Sequence, residues 1–345
     1  MKTWFFTFAL MILFASGINS QQVSKKNWTL VHERTATWCP FCGTWGWNMK
    51  DEIFSTYADQ NLIFMAVHHS GDLVNQTATE LGDNFSGTGQ PIFYMDGSNL
   101  NVNSSNIAER IRDIKIAMDF KATQSVFAGV GVEATLNNNT KTLTAKAKVE
   151  FLEAVEGGDY YLGLYLVEDV LNFQSSRTGT PLHRNVIRQS LLPTTFGKAL
   201  KTGAVAKGTI FNVDASLANV SSTRDKIKVV AIIWNKVGSK YIFFNANVVS
   251  VGIPASTDFE ADTNNDLIVT QNESKSVIVD MKNIVLDQDA VLNISDISGR
   301  LLASQQVFKN NSNQILTLSG DFNPGVHIIT LVSDKKRISK KLVLH

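Results

Sequence analysis

The sequence predicts a multidomain protein of the α/β plus all-β class. Three observations carry this expectation. At 345 residues the chain is long enough for two to three domains. Up to about residue 123, apolar runs of strand type alternate with stretches whose apolar residues recur at helical spacing, the pattern of an α/β layer. Beyond that point strand-like runs follow one another, with turn clusters at roughly ten- to fifteen-residue spacing, the pattern of antiparallel sandwiches. Hydrophobic residues make up 44% and charged residues 18%, which is globular rather than disordered composition. Lys and Arg number 32 against 31 Asp and Glu. So even a balance argues against a nucleic-acid partner, which needs a basic face, and against general attraction to anionic membranes.

The chain opens with Lys2, an apolar run over residues 4–15, and the small and polar Ser16-Gly17-Ile18-Asn19-Ser20. A run of about twelve apolar residues is too short to cross a bilayer and reads as a secretory signal peptide over residues 1–20. No later stretch is long enough for an integral span, so the mature chain is expected to be soluble, and the signal peptide predicts export, to the cell surface or beyond. The first domain is expected over 22–123. Its strands are Trp28 to Glu33, the buried parallel type Leu62 to Val67, and Pro91 to Met95 before the turn Asp96-Gly97. From Pro40 to Tyr57, Phe41, Trp45, Met49, Ile53 and Tyr57 recur every four residues, a helix stripe. A second helix is expected over Ser105 to Lys121, with Ile107, Ile111, Ile114 and Met118 on one face.

The second region, 124–251, carries turn clusters at Asn137-Asn138-Asn139, Glu156-Gly157-Gly158-Asp159 and Val237-Gly238-Ser239. In Tyr161-Leu162-Gly163-Leu164-Tyr165-Leu166 the leucines alternate, so one face would be buried. An immunoglobulin-like antiparallel β-sandwich is expected. Residues 252–263 form an irregular linker. Over 264–345, strands at Val277 to Asp280, Val291 to Ile297, Ile315 to Leu318 and His327 to Val332 fit a second, smaller sandwich.

The chemistry is expected at Cys39 and Cys42, the only two cysteines of the chain. Only about one random placement in 170 puts two cysteines three apart, so the Cys39-Pro40-Phe41-Cys42 spacing is not an accident of composition. The pair lies between a predicted strand and a predicted helix. Cys39 would sit at the helix N-terminus with Pro40 in the first turn, where its missing N–H costs nothing. Free N–H groups and the helix dipole would stabilise a thiolate on Cys39, and a thiolate is what attacks a disulfide. Cys42, one turn on, would be the more buried sulfur that resolves the mixed disulfide, with Cys39 the exposed attacker. An inert disulfide, and a metal site built from the two thiolates plus His68 or His69, are the competing readings. Structural zinc wants four ligands at a spacing not visible here. No metal and no bound cofactor are expected. His68-His69 reads first as the end of a buried strand. Of Trp45 and Trp47, at least one reads as core packing, and exposure of the other near the dithiol would suggest a substrate platform. His32 and Arg34 fall on the opposite strand face with no assigned role.

The segment Glu33-Arg34-Thr35-Ala36-Thr37-Trp38-Cys39-Pro40-Phe41-Cys42 resembles the thioredoxin superfamily. A tryptophan precedes the first cysteine, and Glu33 lies six residues before it, where many members place a buried carboxylate that handles the resolving cysteine's proton. Pro91, in Gly89-Gln90-Pro91-Ile92-Phe93, matches the family's cis-proline facing the dithiol. The resemblance covers about 100 residues and lacks the N-terminal strand and helix of full thioredoxin, so a minimal thioredoxin-like domain is expected. It implies catalytic roles for Cys39, Cys42 and Glu33, and substrate contacts for Trp38, Gln90 and Pro91. Gln90 stands where threonine or an aliphatic residue is usual. Pro40-Phe41 resembles the dipeptide of glutaredoxins and periplasmic oxidants, whereas Trp38 resembles reductants, so the direction of electron flow stays open.

The first two regions together resemble the Omp28-related outer-membrane proteins of Bacteroidota-type bacteria. The residues that carry this are Glu33 to Cys42, Leu164 to Asp169, His183 to Arg188 and Lys228 to Asn235, in that order. His183 to Arg188 is taken as a solvated strand edge. The last region resembles the C-terminal sorting domain of type IX secretion cargo, through Asp296-Ile297-Ser298-Gly299-Arg300-Leu301-Leu302, Asn323-Pro324-Gly325-Val326-His327-Ile328 and Lys340-Lys341-Leu342-Val343-Leu344. His327 and Phe322 stand where tyrosine and leucine are usual, and Lys335-Lys336-Arg337 falls at a basic hairpin tip. The resemblance implies an outer-membrane translocon as partner. The expected function is an exported thiol–disulfide oxidoreductase with protein thiol or disulfide substrates and a redox partner. The alternative is a non-enzymatic surface binding protein or adhesin with a structural disulfide.

Overall fold

The computed structural model describes residues 22–57, 60–85, 87–252, 267–271, 276–281, 284, 286, 288–296, 301–309, 315–318, 322, 324–333 and 337–344. The expected signal peptide, almost all of the expected linker, Ile297 to Arg300, Asn323 and Lys335-Lys336 lie outside these residues.

The first region runs β1 (Thr29–Ala36), a turn carrying both cysteines, a π-helical turn (Cys42–Gly46) that continues into α1 (Trp47–Tyr57), β2 (Leu62–Ser70), α2 (Gln76–Asn84), β3 (Ile92–Met95), β4 (Ser98–Asn99) and α3 (Ile107–Ala122). Strands β1 and β2 are parallel, with Thr29 opposite Leu62, and β3 runs antiparallel to β1, with Val31 opposite Met95. Both strands are buried along most of their length, and in β2 this takes the form of the continuous apolar run Leu62 to Val67, whereas β1 buries His32, Glu33 and Thr35 among its apolar residues. On one face, Met49, Ile53 and Tyr57 of α1 and Ile114 of α3 pack on Val31, Phe64 and Phe93. On the other, Ala78 and Leu81 of α2 pack on Leu30, Ile63, Met65 and Val67. Helix α2 was not expected. It is short, and its start is set by Asn75, whose side-chain oxygen accepts the Ala78 N–H at 2.9 Å.

The helix stripe departs from expectation at its first member. Met49, Ile53 and Tyr57 are buried and Trp45 is half-buried, but Phe41 is exposed. The π turn winds more than four residues into one turn, so the face that holds from Trp45 onward is rotated before Cys42. Cys42, Gly43 and Gly46 turn inward instead.

The second region contributes β5 (Ala128–Asn137), β6 (Thr142–Phe151), β7 (Asp159–Leu171), β8 (Leu182–Ser190), β9 (Lys198–Thr202), β10 (Ile210–Leu217), β11 (Ile227–Val237) and β12 (Lys240–Ser250). It does not form a separate pair of sheets. Strand β8 pairs with β2 in parallel at Ala66 and Val186, which joins the two regions in one nine-stranded sheet of order β12-β11-β7-β8-β2-β1-β3-β4, with β9 on β7. Only β10-β6-β5 forms a second sheet, facing β7, β11 and β12 across a core that includes Val130, Leu143, Leu162, Leu164, Val229 and Ile233. Strand β7 is therefore buried on both faces. Its leucines face the second sheet, and Tyr165 and Val167 face the α2 side beside Trp234. The solvated edge expected at His183 to Arg188 is corrected for the same reason: β8 lies between β7 and β2, and His183, Val186 and Ile187 are buried.

The C-terminal residues form two sheets around one core. Strands β13 (Ile268–Gln271), β14 (Val277–Asp280) and β17 (Ile315–Leu318) make one, and β16 (Leu301–Val307), β15 (Ala290–Asp296), β18 (Gly325–Val332) and β19 (Arg337–Leu344) the other. Val277, Val279, Leu292, Ile294, Ile329 and Leu331 meet between them. The two unusual residues pack together, with the rings of Phe322 and His327 6.3 Å apart.

Candidate functional site

Strand β1 ends at Ala36, and the chain turns through Thr37 and Trp38 so that Cys39 stands at the head of the helical segment. Cys39 and Cys42 are joined as a disulfide, with Cα atoms 5.3 Å apart. The Cys42 amide donates to Cys39 Sγ at 3.1 Å, and the Gly43 amide donates to the Cys39 carbonyl at 3.3 Å. The Cys42 N–H, unused within the helix, points at the sulfur, which is how a helix N-terminus stabilises negative charge, while the Gly43 N–H closes the first helical turn. Gln90 and Pro91 are joined by a cis peptide bond. The Gln90 carbonyl lies 3.6 Å from Cys39 Sγ. Pro91 packs on Gly46, where a Cβ would fall 2.9 Å from the proline ring. Cys39, Cys42, Gln90 and Pro91 are thus brought together.

Cys39 does not have the expected exposure. It is 3% exposed and Cys42 2%. The Gln90–Pro91 segment and a strap from the second region, residues 172–177 after β7, enclose the bridge. What does face solvent is its apolar rim, Trp38 at 55% and Phe41 at 64%. Trp38 is held in place by its indole N–H, which donates to Ser70 Oγ at 3.1 Å.

Behind Cys42 lies a tight crevice lined by Glu33, Thr35, Trp47, Lys50, His68, Gln174 and His183. Burial pushes the Glu33 carboxyl up to about 7, against the pull of the Lys50 charge and a hydrogen bond with Thr35. Burial likewise brings the Lys50 ammonium down to about 8, opposed by Glu33. Lys50 Nζ lies 3.0 Å from the Trp47 ring centroid, a cation–π contact that compensates part of its lost hydration. His68 is fully buried with neither ring nitrogen hydrogen-bonded, and burial lowers it to about 3. His69 points away and meets Asp83 at 2.9 Å. Among the described residues no group of three or more His, Cys, Asp and Glu side chains converges as a metal site. Trp47 is the buried member of its pair and Trp45 is half-buried. His32 is buried on the α2 side, stacked on Tyr94 at 4.7 Å and tilted against Phe85 at 4.3 Å.

Lys50, Gln174 and His183 were not anticipated at the site. Lys50 follows the buried Met49 by one residue, and a lone lysine there gives no sign that it turns inward. Gln174 and His183 arrive from beyond residue 170 through the β2–β8 pairing, which no local pattern announces.

Residues 274–345 match the secretion system C-terminal sorting domain family. Among solved structures, HBP35 of Porphyromonas gingivalis superposes with a TM-score of 0.57 at 17% identity, covering 94% of this chain and 100% of that one. A domain of the outer membrane lipoprotein Omp28 from Porphyromonas gingivalis matches at a TM-score of 0.27 and 12% identity, over 38% of this chain and 92% of that one. No curated protein matches the chain. The sorting domain implies interaction with a secretion system and a secreted, cell-surface or outer-membrane-associated location. The chain is thus similar in fold to HBP35, and its residues 274–345 match the secretion system C-terminal sorting domain family.

Proposed function

We propose that the protein is an exported thiol–disulfide oxidoreductase, working through a minimal thioredoxin-like domain and carried out of the cell by a type IX system. The observation that supports this most is the Cys42 amide aimed at Cys39 Sγ at the head of a helix, 3.1 Å away. In the reduced protein the Cys39 thiolate attacks one sulfur of a substrate disulfide. The substrate S–S bond breaks, a mixed disulfide forms, and one substrate thiolate leaves. The Cys42 thiol then gives its proton to the Glu33 carboxylate and attacks Cys39 Sγ. The Cys39–Cys42 bond forms, the second substrate thiolate leaves, and two electrons have passed to the substrate. Run backwards, the same steps oxidise a dithiol. A carboxyl held at about 7 suits this work, because it is present in both protonation states near neutral pH. Trp38 and Phe41 offer an apolar landing surface for an unfolded or extended substrate, with the Gln90 carbonyl beside the attacking sulfur.

The rival reading, a surface binding protein with a structural bridge, is favoured by the burial of both cysteines. A Cys42→Ser variant decides between them. Incubated with a disulfide-bonded protein, it accumulates a mixed disulfide through Cys39 if the proposal holds, and Cys39→Ser has no exchange activity while the β-regions stay folded. Exchange by Cys39→Ser at the parental rate overturns the assignment.

A further inference from the structure

We infer that Gln174 is a positioning residue for the dithiol, so that the second β-region completes the site. This rests on the oxidoreductase reading above and adds a residue to it from another part of the chain.

The strap, residues 172–177, leaves β7 and leads to β8. Gln174 is 1% exposed, and its amide Nε2 donates to the carbonyl of Cys39 at 3.0 Å and to that of Ala36 at 3.3 Å. The Ser175 N–H donates to the Thr37 carbonyl at 2.7 Å. Three carbonyls of the turn that presents Cys39, those of Ala36, Thr37 and Cys39 itself, are therefore tied to the strap. The strap is anchored from its own side. The Asn172 N–H donates to the Pro181 carbonyl at 3.3 Å, and the Arg177 N–H closes a turn on the Gln174 carbonyl at 3.0 Å. The fit is close: a Cβ on Gly43 would lie 1.8 Å from the Ser175 carbonyl oxygen.

The consequence concerns the reduced state. In the oxidised protein the covalent bridge itself fixes the spacing of Cys39 and Cys42. Once it is broken, the Cys39 backbone is held only by hydrogen bonds, among which the Gly43 contact at 3.3 Å is the longer and the Gln174 contact at 3.0 Å the shorter. Whatever fixes that backbone also keeps Cys39 Sγ in reach of the Cys42 N–H. A charge-assisted bond of this kind favours the thiolate over the thiol. Gln174 touches no reacting atom. It acts through the Cys39 carbonyl, on how readily the thiol ionises.

The test is the pH profile of alkylation of the reduced full-length protein by iodoacetamide, with the modified cysteine identified by mass spectrometry. Gln174→Leu keeps the bulk and removes the donors. Its Cys39 profile is expected to move to higher pH, with about fivefold less thiolate on the acid limb, the effect of one net hydrogen bond. Gln174→Glu faces a carboxylate to the same two carbonyls and is expected to shift the profile at least as far. A role confined to stability would lower the unfolding midpoint and leave the profile in place. Should both variants fail to fold, the unmodified reduced protein carries the test. Coupling is reciprocal, so the Ser175 amide gains hydrogen-exchange protection as Cys39 ionises, once the intrinsic pH dependence is removed. Parental and variant profiles within twofold of each other, or Ser175 protection that ignores the ionisation, overturn the inference alone. A parental profile at the ordinary thiol value of about 8.5 overturns the oxidoreductase reading with it.

Discussion

Gly43→Ala is expected to lever the strap off the dithiol turn. The added methyl would sit 1.8 Å from the Ser175 carbonyl oxygen and 3.0 Å from its carbon. Contacts under 3.0 Å essentially never occur, so Ser175 must retreat by at least about 1.2 Å. The Ser175 N–H bond to Thr37, now 2.7 Å, then passes out of hydrogen-bonding range, and the Gln174 bond to Cys39, now 3.0 Å, stretches with it. Two buried hydrogen bonds lost at about 1–1.5 kcal/mol each give roughly 2–3 kcal/mol. Alanine's better helix propensity returns about 1 kcal/mol at most. The net expectation is a loss of about 1–2 kcal/mol, within the range of ordinary core overpacking. Urea unfolding of the oxidised protein, followed by circular dichroism, measures it. A variant as stable as the parent would mean that the strap is not seated on this turn and that Gln174 does not position the dithiol.

Three further expectations concern charge and export. Glu33 is held at about 7 by burial, so the folded state alone keeps the proton between its unfolded value of 4.5 and 7, and stability falls as pH rises across that window by up to about 3 kcal/mol. Glu33→Gln is expected to remove that fall, and an unchanged slope of unfolding midpoint against pH would refute the assignment. His32 is the opposite case. Its ring nitrogens have no hydrogen-bond partner and burial lowers it to about 3, so the unfolded chain takes up a proton below 6.5 that the folded chain refuses. His32→Leu is therefore expected to stabilise more at pH 5 than at pH 8, by about 2 kcal/mol, and an equal effect at both pH values would count against it. Removal of residues 264–345 is expected to leave the protein in the periplasm, read by cell fractionation, and secretion at the parental level would contradict the role of the sorting domain.

Much of the site was legible because its chemistry is local in sequence. The cysteine spacing, Pro40 in the first helical turn, Glu33 six residues upstream and Pro91 before a strand all carry their meaning within short windows, and the structure places Glu33, Gln90 and Pro91 against the dithiol. Exposure was less legible. The four-residue stripe counted Phe41 as buried because it assumed a uniform helix, and the π turn over Cys42–Gly46 has no sequence signature of its own. Cys39 was expected at the surface because the strap that helps cover it starts more than 130 residues later. Sheet topology was the least legible. A single parallel contact between Ala66 and Val186 merges two regions that composition and periodicity separate near residue 123. That contact turns His183 from an apparent solvated edge into a buried wall of the site.

The measurement that bears most directly on the central claim is the reduction potential of the Cys39–Cys42 pair. The purified full-length protein is equilibrated in glutathione buffers and its free thiols are counted by alkylation and mass. A potential between about −270 and −120 mV is predicted, the range of dithiols that exchange with protein substrates, and its position in that range assigns the direction of electron flow. A potential below about −300 mV would mark a structural bridge and contradict the proposal.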